Sequence, residues 1–124
     1  MTVQKPTVAV PTGPRPDYLD ITDLVIGDGP QARRGDRVLV HYVGVAYSSG
    51  REFDASHDRG EPLSFTLGAK EVISGWDMGV AGMRVGGRRQ LVIPPHLGYG
   101  DYGAGSAIAP GETLIFVVDL VEIA

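Results

Sequence analysis

The stretch Glu71-Val72-Ile73-Ser74-Gly75-Trp76 contains the only tryptophan of the chain, and the interpretation of the other segments depends on it. Val80 and Met83 follow Trp76 at helical spacing, which predicts a short helix with one apolar face that begins near Ser74. This helix would contain three glycines, Gly75, Gly79 and Gly82. Because each glycine costs a helix about 1 kcal/mol relative to alanine, we expect a sheet to wrap around the helix and hold it.

The ends of this helix and the role of its tryptophan allow more than one interpretation. Ser74 and Asp77, three residues apart, predict an N-cap pair, and the helix is expected to end within residues 84–87. A single tryptophan in a small domain usually fills the core. The alternative is that Trp76 forms part of a binding site, and the residues that accompany it elsewhere in the chain favour this second interpretation.

The composition predicts one domain without disulfides. The 124 residues, 43% of them hydrophobic, suffice for one core. A net charge of −4 and a pI near 5.2 argue against a nucleic-acid binder that neutralises phosphates. The absence of cysteine excludes a disulfide framework, a thiolate zinc site and a cysteine nucleophile. No apolar run could span a bilayer and the first residues lack the apolar centre of a secretory signal, so the expected location is cytoplasmic.

The order of patterns along the chain predicts an α+β domain. Residues 1–16 contain four prolines and no periodic pattern, which predicts a flexible Pro-rich leader before one domain over residues 17–124. Strands are predicted over residues 18–26, 38–47, 51–56, 63–68, 88–93 and 113–123. The long loop over residues 94–112 holds tyrosines among its glycines, which favours a functional loop. We therefore expect five or six mostly antiparallel strands and one short helix.

The polar residues do not indicate hydrolytic or metal chemistry. Two basic clusters, Arg33-Arg34 with Arg37 and Arg84 with Arg88-Arg89, are interpreted as solvated faces beside turns. The three histidines, His41, His57 and His96, share no metal-binding spacing. No Ser-His-Asp context of a hydrolase is recognisable. We expect no metal and no cofactor.

Several blocks of sequence follow one another in an order typical of a known family. They are Val40-His41-Tyr42-Val43-Gly44; Gly50, Phe53, Asp54 and Ser56; Pro62, Leu63, Phe65, Leu67 and Gly68; Glu71-Val72-Ile73, Gly75-Trp76-Asp77, Gly79 and Val80; Val85-Gly86; Ile93-Pro94 and Gly98-Tyr99-Gly100; and Ile108, Pro110, Thr113, Leu114, Phe116 and Val118. Together these blocks resemble the FK506-binding (immunophilin) family of peptidyl-prolyl cis-trans isomerases. The resemblance extends from about residue 19 to the C-terminus.

The resemblance implies a twisted antiparallel sheet curled around the short helix, with an apolar pocket between them and the indole of Trp76 as its floor. The implied catalytic residues are Tyr42, Phe53, Asp54, Ile73, Trp76, Tyr99 and Phe116, and the implied substrate-binding residues are Arg59, Leu63, Glu71, Val72 and Ile108. The Ile73 N–H and the Tyr99 hydroxyl would each hold a substrate carbonyl. Asp54 would lie at the rim, in a structural or an electrostatic role, with Tyr42 and Arg59 as candidate donors.

The implied function is a cofactor-free prolyl isomerase that acts on peptides and unfolded chains and thereby assists protein folding. The resemblance also implies inhibition by macrolides of the FK506 and rapamycin type. We expect a monomer that binds neither nucleic acid nor membranes. One alternative is a module that uses the same pocket to bind proline-containing partners without turnover. A second alternative is a chaperone that holds polypeptides, which would need an exposed apolar flap, and the sequence shows no inserted domain to provide one.

The sequence departs from the family pattern at three positions. Leu63 stands where an aromatic residue is often found, Ala104 where the loop often has a histidine, and Ala107 where an isoleucine is common. These smaller or aliphatic side chains are expected to open the outer wall of the pocket. Peptide preference and macrolide affinity depend on that wall, whereas the floor is unchanged.

Overall fold

A six-stranded antiparallel sheet dominates the computed structural model, which describes residues 4–124. Residues 1–3 of the predicted leader lie outside the described residues. The strands are β1 (Asp20–Val25), β2 (Arg37–Ala46), β3 (Glu52–Ala55), β4 (Leu63–Thr66), β5 (Arg88–Ile93) and β6 (Leu114–Ile123). The helices are α1 (Ser56–Arg59), α2 (Ser74–Val80) and a 3₁₀-helix (Pro95–Leu97). The predicted α+β sheet around a short helix is confirmed; the four-residue α1 is an additional element that the sequence analysis missed.

The two long strands β2 and β6 form the centre of the sheet, whose order is β1-β5-β6-β2-β3. They pair from Val38 opposite Ile123 to Ala46 opposite Leu114. The other edge of β2 is shared, because residues 37–40 pair with β4 and residues 43–45 pair with β3. The chain therefore leaves the sheet between β3 and β4, and α1 lies in this excursion.

Side-chain alternation along β2 assigns residues to the two faces of the sheet. Val40 and Tyr42 pack in the large core cluster that also contains Trp76 of α2. Val43 and Val45, one residue out of phase, belong to a second buried cluster. Both faces of this strand are covered, as its β-branched and aromatic residues on both alternations predicted.

Helix α2 lies directly on β5 because two of its residues have no side chain. A Cβ at Gly75 would lie 2.6 Å from the side chain of Ile93, and a Cβ at Gly79 would lie 2.7 Å from that of Leu91. The glycines that weaken an isolated helix thus permit close contact with the sheet. We predicted that α2 depends on a surrounding sheet, and this close contact with β5 is the physical reason.

The predicted C-terminal end of α2 was wrong. The helix ends at Val80, and Ala81 leaves the helical region with φ −56° and ψ 132°. The following residues bond to another segment instead: the Gly82 N–H donates to the Ala32 carbonyl at 2.9 Å, and the Val85 N–H donates to the Pro30 carbonyl at 3.0 Å. Tertiary hydrogen bonds therefore replace further helical turns, although the Met83 side chain remains buried.

The predicted N-cap pair was also wrong. No side chain caps α2, and Ile73 occupies the N-cap position. The Asp77 carboxylate instead accepts hydrogen bonds from the N–H groups of Gly68 at 2.9 Å and Lys70 at 3.0 Å. Lys70 has a φ of 61°, in the left-handed region that non-glycine residues rarely adopt. Asp77 therefore stabilises the turn that leads into α2.

The interpretation of the second basic cluster as a solvated face was wrong for two of its residues. Arg89 is largely buried; its guanidinium donates to the carbonyls of Gly79 and Ala81 at 2.9 and 3.0 Å and bonds Asp23 at 2.7 Å. Arg88 Nε donates to the buried Asp119 at 2.7 Å. Arg89 thus satisfies carbonyls at the C-terminal end of α2, which its position next to a turn did not reveal.

The segment from residue 4 to residue 16 contains no helix or strand. Val8 and Val10 pack against the second buried cluster. The Tyr47 hydroxyl contacts the carbonyls of Pro11 at 3.3 Å and Gly13 at 3.2 Å. The boundary between leader and domain, and the flexibility of the leader, remain predictions. Within residues 4–124, no helix combines the length and apolarity needed to cross a membrane.

Candidate functional site

A cavity of about 180 Å³ opens between α2 and the face of the sheet that α2 covers. A cavity needs only about 10–15 Å³ of such space to hold one water, so this one has room for a five-membered ring. Its lining residues are Tyr42, Phe53, Asp54, Leu63, Glu71, Val72, Ile73, Trp76, Tyr99 and Phe116. The fold thus brings together ten of the twelve residues that the resemblance implied.

The floor of the cavity is an array of aromatic rings around Trp76, which is 4% exposed. The ring centroids of Tyr42 and Phe116 lie 4.8 and 5.2 Å from that of Trp76, both edge to face. Phe53 meets Phe116 in the same manner at 5.5 Å. Phe65, fully buried, supports the indole at 5.8 Å. Such edge-to-face contacts hold each ring in one orientation, so the floor is preorganised.

Two polar features of the floor and its entrance have no protein partner. The buried indole Nε1–H of Trp76 forms no hydrogen bond within residues 4–124. The Ile73 N–H makes no hydrogen bond to another backbone group in the same part of the chain. Few buried donors in folded proteins lack a partner, which makes the Trp76 indole an exception. The Ile73 N–H, in a partly exposed residue of the cavity lining, is available to a ligand there.

Gly44 lies behind two walls of the cavity, and the sequence analysis gave it no role in the site beyond its place in a family block. A Cβ at Gly44 would lie 2.6 Å from ring atoms of both Phe53 and Phe116. Only glycine lets both rings approach β2 at this point. A glycine in a strand interior signals close approach, and this signal was available in the sequence.

The segment before α2 is fixed by two carboxylates. Asp77 holds the turn at Gly68 and Lys70, as described above. Glu71 accepts hydrogen bonds from Arg37 and from the Thr66 N–H, each at 3.1 Å. These contacts position the main chain of residues 71–73, which forms one wall of the cavity.

The polar rim consists of a closed triangle of side chains. The Tyr42 hydroxyl donates to Asp54 at 2.6 Å, and Arg59 donates to Asp54 at 2.6 Å and to the Tyr42 hydroxyl at 2.7 Å. Burial raises the pKa of Asp54, but the hydrogen bonds from Tyr42 and Arg59 outweigh it and keep the pKa below its usual range. Burial and the hydrogen bond to Asp54 raise the pKa of Tyr42. The carboxylate therefore stays ionised and Tyr42 stays neutral near neutral pH.

The two remaining predicted residues lie outside the cavity lining. Arg59 acts on the rim through Asp54 and Tyr42, and α1 is the element that turns it back towards them. Ile108 is buried in the main core cluster and does not line the cavity. Its backbone pairs with Ala104 at 2.8 and 3.1 Å, so the loop over residues 94–112 is held in a defined conformation. The substrate-binding role given to Ile108 therefore has no direct contact to support it.

The fold and the cavity define a class of protein: a small domain with an apolar cavity between a curved antiparallel sheet and a short helix. Comparison with known sequences agrees with this class. Residues 29–121 match the family model described as "FKBP-type peptidyl-prolyl cis-trans isomerase". The match covers all of the cavity's lining residues.

Individual relatives extend the similarity to nearly the whole chain. The "FK506-binding protein" of Streptomyces anulatus is 63% identical over 124 residues, which are 99% of this chain and 100% of the relative. The "Probable FK506-binding protein" of Corynebacterium glutamicum is 48% identical over 97% of this chain and 99% of the relative. The crystal structure of AtFKBP13 superimposes with a TM-score of 0.81 at 41% identity, covering 89% of this chain and 96% of that one.

This chain belongs to the FKBP-type peptidyl-prolyl cis-trans isomerase family. The resemblance stated from sequence is confirmed, and so is the predicted isomerase activity on X–Pro bonds. An X–Pro bond exchanges in tens to hundreds of seconds without catalysis, behind a barrier of about 18–20 kcal/mol. The enzyme must therefore lower a rotational barrier without breaking any covalent bond.

Proposed function

We propose that the cavity above Trp76 is the catalytic site and that it lowers this barrier by dehydration and orientation. The observation that supports the proposal is the preorganised aromatic floor, in which Trp76, Tyr42 and Phe116 leave an apolar space of proline size. A barrier lower by about 7 kcal/mol corresponds to roughly a 10⁵-fold acceleration. The site needs no nucleophile for this, because isomerisation is a rotation.

The chemistry of the amide explains why an apolar cavity favours rotation. The planar amide has a large charge separation that water stabilises, whereas the twisted transition state has lost its resonance and part of that charge separation. Transfer from water into an aromatic cavity therefore disfavours the ground state more than the transition state. This is differential stabilisation, which raises the rate instead of merely tightening binding.

Three groups at the entrance provide orientation. The Ile73 N–H donates to the carbonyl of a substrate peptide bond, and the Tyr99 hydroxyl at the half-exposed rim donates to a second one. These two bonds hold the chain on either side of the rotating bond, so that the proline ring stays in the cavity. Asp54 keeps the Tyr42 ring in place through its 2.6 Å hydrogen bond, and Arg59 balances its charge at 2.6 Å.

The same cavity binds macrolides of the FK506 and rapamycin type, and the support for this is that two relatives carry the name FK506-binding protein, one of them as probable. A macrolide of this type presents a twisted amide that resembles the transition state, and transition-state analogues bind more tightly than substrates. The residues that depart from the family pattern affect this interaction unequally. Leu63 lines the cavity, Ala104 packs against the core, and Ala107 lines a neighbouring cavity. Affinity is therefore expected to change mainly through Leu63.

Fluorescence titration tests the location of the site, because Trp76 is the only tryptophan of the chain. We expect a saturable change in its emission with FK506 or with an X–Pro peptide, and we expect FK506 to displace the peptide and abolish isomerisation with the same midpoint. Full activity at a macrolide concentration that saturates the fluorescence change would refute the proposed site.

The proposal includes a cytoplasmic, monomeric enzyme that acts on proline-containing peptides and unfolded chains and assists folding. The net charge of −4 opposes self-association and so supports the monomer. Sedimentation at micromolar concentration tests the oligomeric state, and cell fractionation tests the location. Acceleration of the proline-limited refolding of an unfolded protein tests the folding role.

A further inference from the structure

A second cavity, of about 450 Å³, adjoins the catalytic one. The two share Phe53, whose side chain forms a wall of each. The second cavity lies between the turn after β2, the beginning of β3 and the loop over residues 106–112; its polar lining residues are Ser48, Ser49, Arg51, Glu52, Ser106 and Glu112. If a client peptide places its proline in the first cavity, residues next to that proline can therefore reach the polar second cavity on the other side of the Phe53 ring.

The carboxylate of Glu112 is the fixed charge of this second cavity. Glu112 is only 8% exposed, and it accepts hydrogen bonds from the N–H of Ser48 at 3.2 Å and from the Ser48 hydroxyl. No Lys, Arg or His within residues 4–124 forms an ion pair with it. Hydrogen bonds from Ser48 satisfy both oxygens of this buried carboxylate, but no cation within residues 4–124 neutralises its charge through an ion pair.

The other two charged residues of the cavity do not cancel the charge of Glu112. Glu52 is already paired with Lys5 at 3.0 Å. Arg51 is exposed to solvent, where water and salt screen its charge and its long side chain can turn away. The charge of Glu112 acts from a less polar environment and is screened less. The electrostatic preference of the cavity is therefore for a cation.

We propose that this second cavity is a subsite for a basic side chain, lysine or arginine, close to the isomerised proline in the client chain. This inference rests on the proposed function, because it requires the proline to occupy the cavity above Trp76. The two cavities share the Phe53 side chain as a wall, and an extended chain advances about 3.5 Å per residue, so we place the basic residue within three positions of the proline. An ammonium or guanidinium group then meets the Glu112 carboxylate, and the serine hydroxyls satisfy its remaining donors.

The first test compares peptides on the wild-type enzyme. A proline peptide with neutral flanks is changed to Lys, Gln or Glu at one position at a time, over three positions on each side of the proline. We expect kcat/KM to be about five- to tenfold higher for Lys than for Gln at one position, because the lysine gains a charged hydrogen bond to Glu112. The peptide with Glu at that position should have the lowest kcat/KM, because the Glu112 carboxylate repels it. Equal kcat/KM for the three peptides at all six positions would overturn the subsite.

The second test uses variants that change one charge. Glu112→Gln keeps the shape and one acceptor for Ser48, and it should reduce the Lys-over-Gln ratio to about one. The matched control is Glu122→Gln, which removes an exposed carboxylate at the opposite end of β6 and should retain the full ratio. A ratio retained in Glu112→Gln, or lost equally in both variants, contradicts the subsite. Absence of acceleration for the neutral peptide on the wild-type enzyme would instead refute the proposed catalytic site.

Discussion

Gly44→Ala tests whether the spacing of the aromatic walls limits catalysis. The added Cβ would lie 2.6 Å from ring atoms of Phe53 and Phe116, whereas carbon atoms prefer separations of about 3.5–4.0 Å. Each ring must therefore move by about 1 Å, or the strand must bend away. Overpacking of this kind costs about 1–3 kcal/mol of the free energy of unfolding.

The direction of the ring movement determines the effect on activity. Both rings line the cavity proposed as the catalytic site, so displacement from β2 moves them into the space proposed for proline. A misplacement of about 1 Å can cost up to about a hundredfold in rate, and we expect kcat/KM to fall at least about tenfold. The thermal midpoint should fall by about 3–6 °C for each kcal/mol lost in a domain of this size.

The assay combines thermal unfolding with proline-peptide isomerisation measured by NMR exchange, well below the unfolding midpoint. The control is Val43→Ile, which adds one methylene at the adjacent residue of β2, in the second buried cluster on the opposite face. Val43→Ile should lose stability and keep its kcat/KM within about twofold. The reasoning is refuted if Gly44→Ala loses stability but isomerises as fast as the wild type.

Three further predictions concern polar groups around the site. Asp77→Asn leaves one acceptor oxygen for two backbone N–H groups and should lower the free energy of unfolding in urea by about 1 kcal/mol. The KM should rise because the turn at Lys70 loosens. An unchanged KM would contradict the role of Asp77 in positioning this turn. Asp54 has a pKa held below 3.8, so its ionised form stabilises the fold above about pH 4 and this contribution is lost as the pH falls further. Asp54→Asn should therefore be less stable than the wild type at about pH 7 and indistinguishable from it near pH 2 in denaturant midpoints. Burial and the neighbouring imidazole of His41 lower the pKa of His57 from its usual value. The neutral form of His57 therefore stabilises the fold above about pH 6.5, and this contribution is lost as the pH falls through the pKa of the folded state. His57→Gln should reduce this loss of stability, measured as the denaturant midpoint at each pH.

The sequence was sufficient to predict those strands and the helix whose hydrophobic residues recur with one clear periodicity. The alternation along β6 and β2 predicted both strands within one or two residues, because each buries side chains on fixed faces over ten residues. Trp76 and its neighbours predicted α2 and its dependence on the sheet. The family pattern then supplied the cavity walls, since those residues recur in one order along the chain.

The features that sequence reasoning missed depend on contacts between distant segments. Asp77 bonds backbone groups of the preceding turn instead of capping α2, although its spacing from Ser74 suited a cap. Arg89 closes the end of α2, although its neighbours indicated a solvated face. The four-residue α1 has no periodic signal, yet it places Arg59 over Asp54. Such details follow from the assembled sheet, which local pattern does not encode.

Phe116 and Ile115 allow the most direct test of the aromatic cavity. They are adjacent on β6 and both buried, but Phe116 lines the cavity and Ile115 belongs to the cluster on the opposite face. The measurement is kcat/KM of Phe116→Leu against Ile115→Val, at a temperature where both are folded. We predict at least a tenfold loss for Phe116→Leu and less than about twofold for Ile115→Val, because only the first removes an aromatic wall. Equal activity of the two variants would contradict catalysis in this cavity.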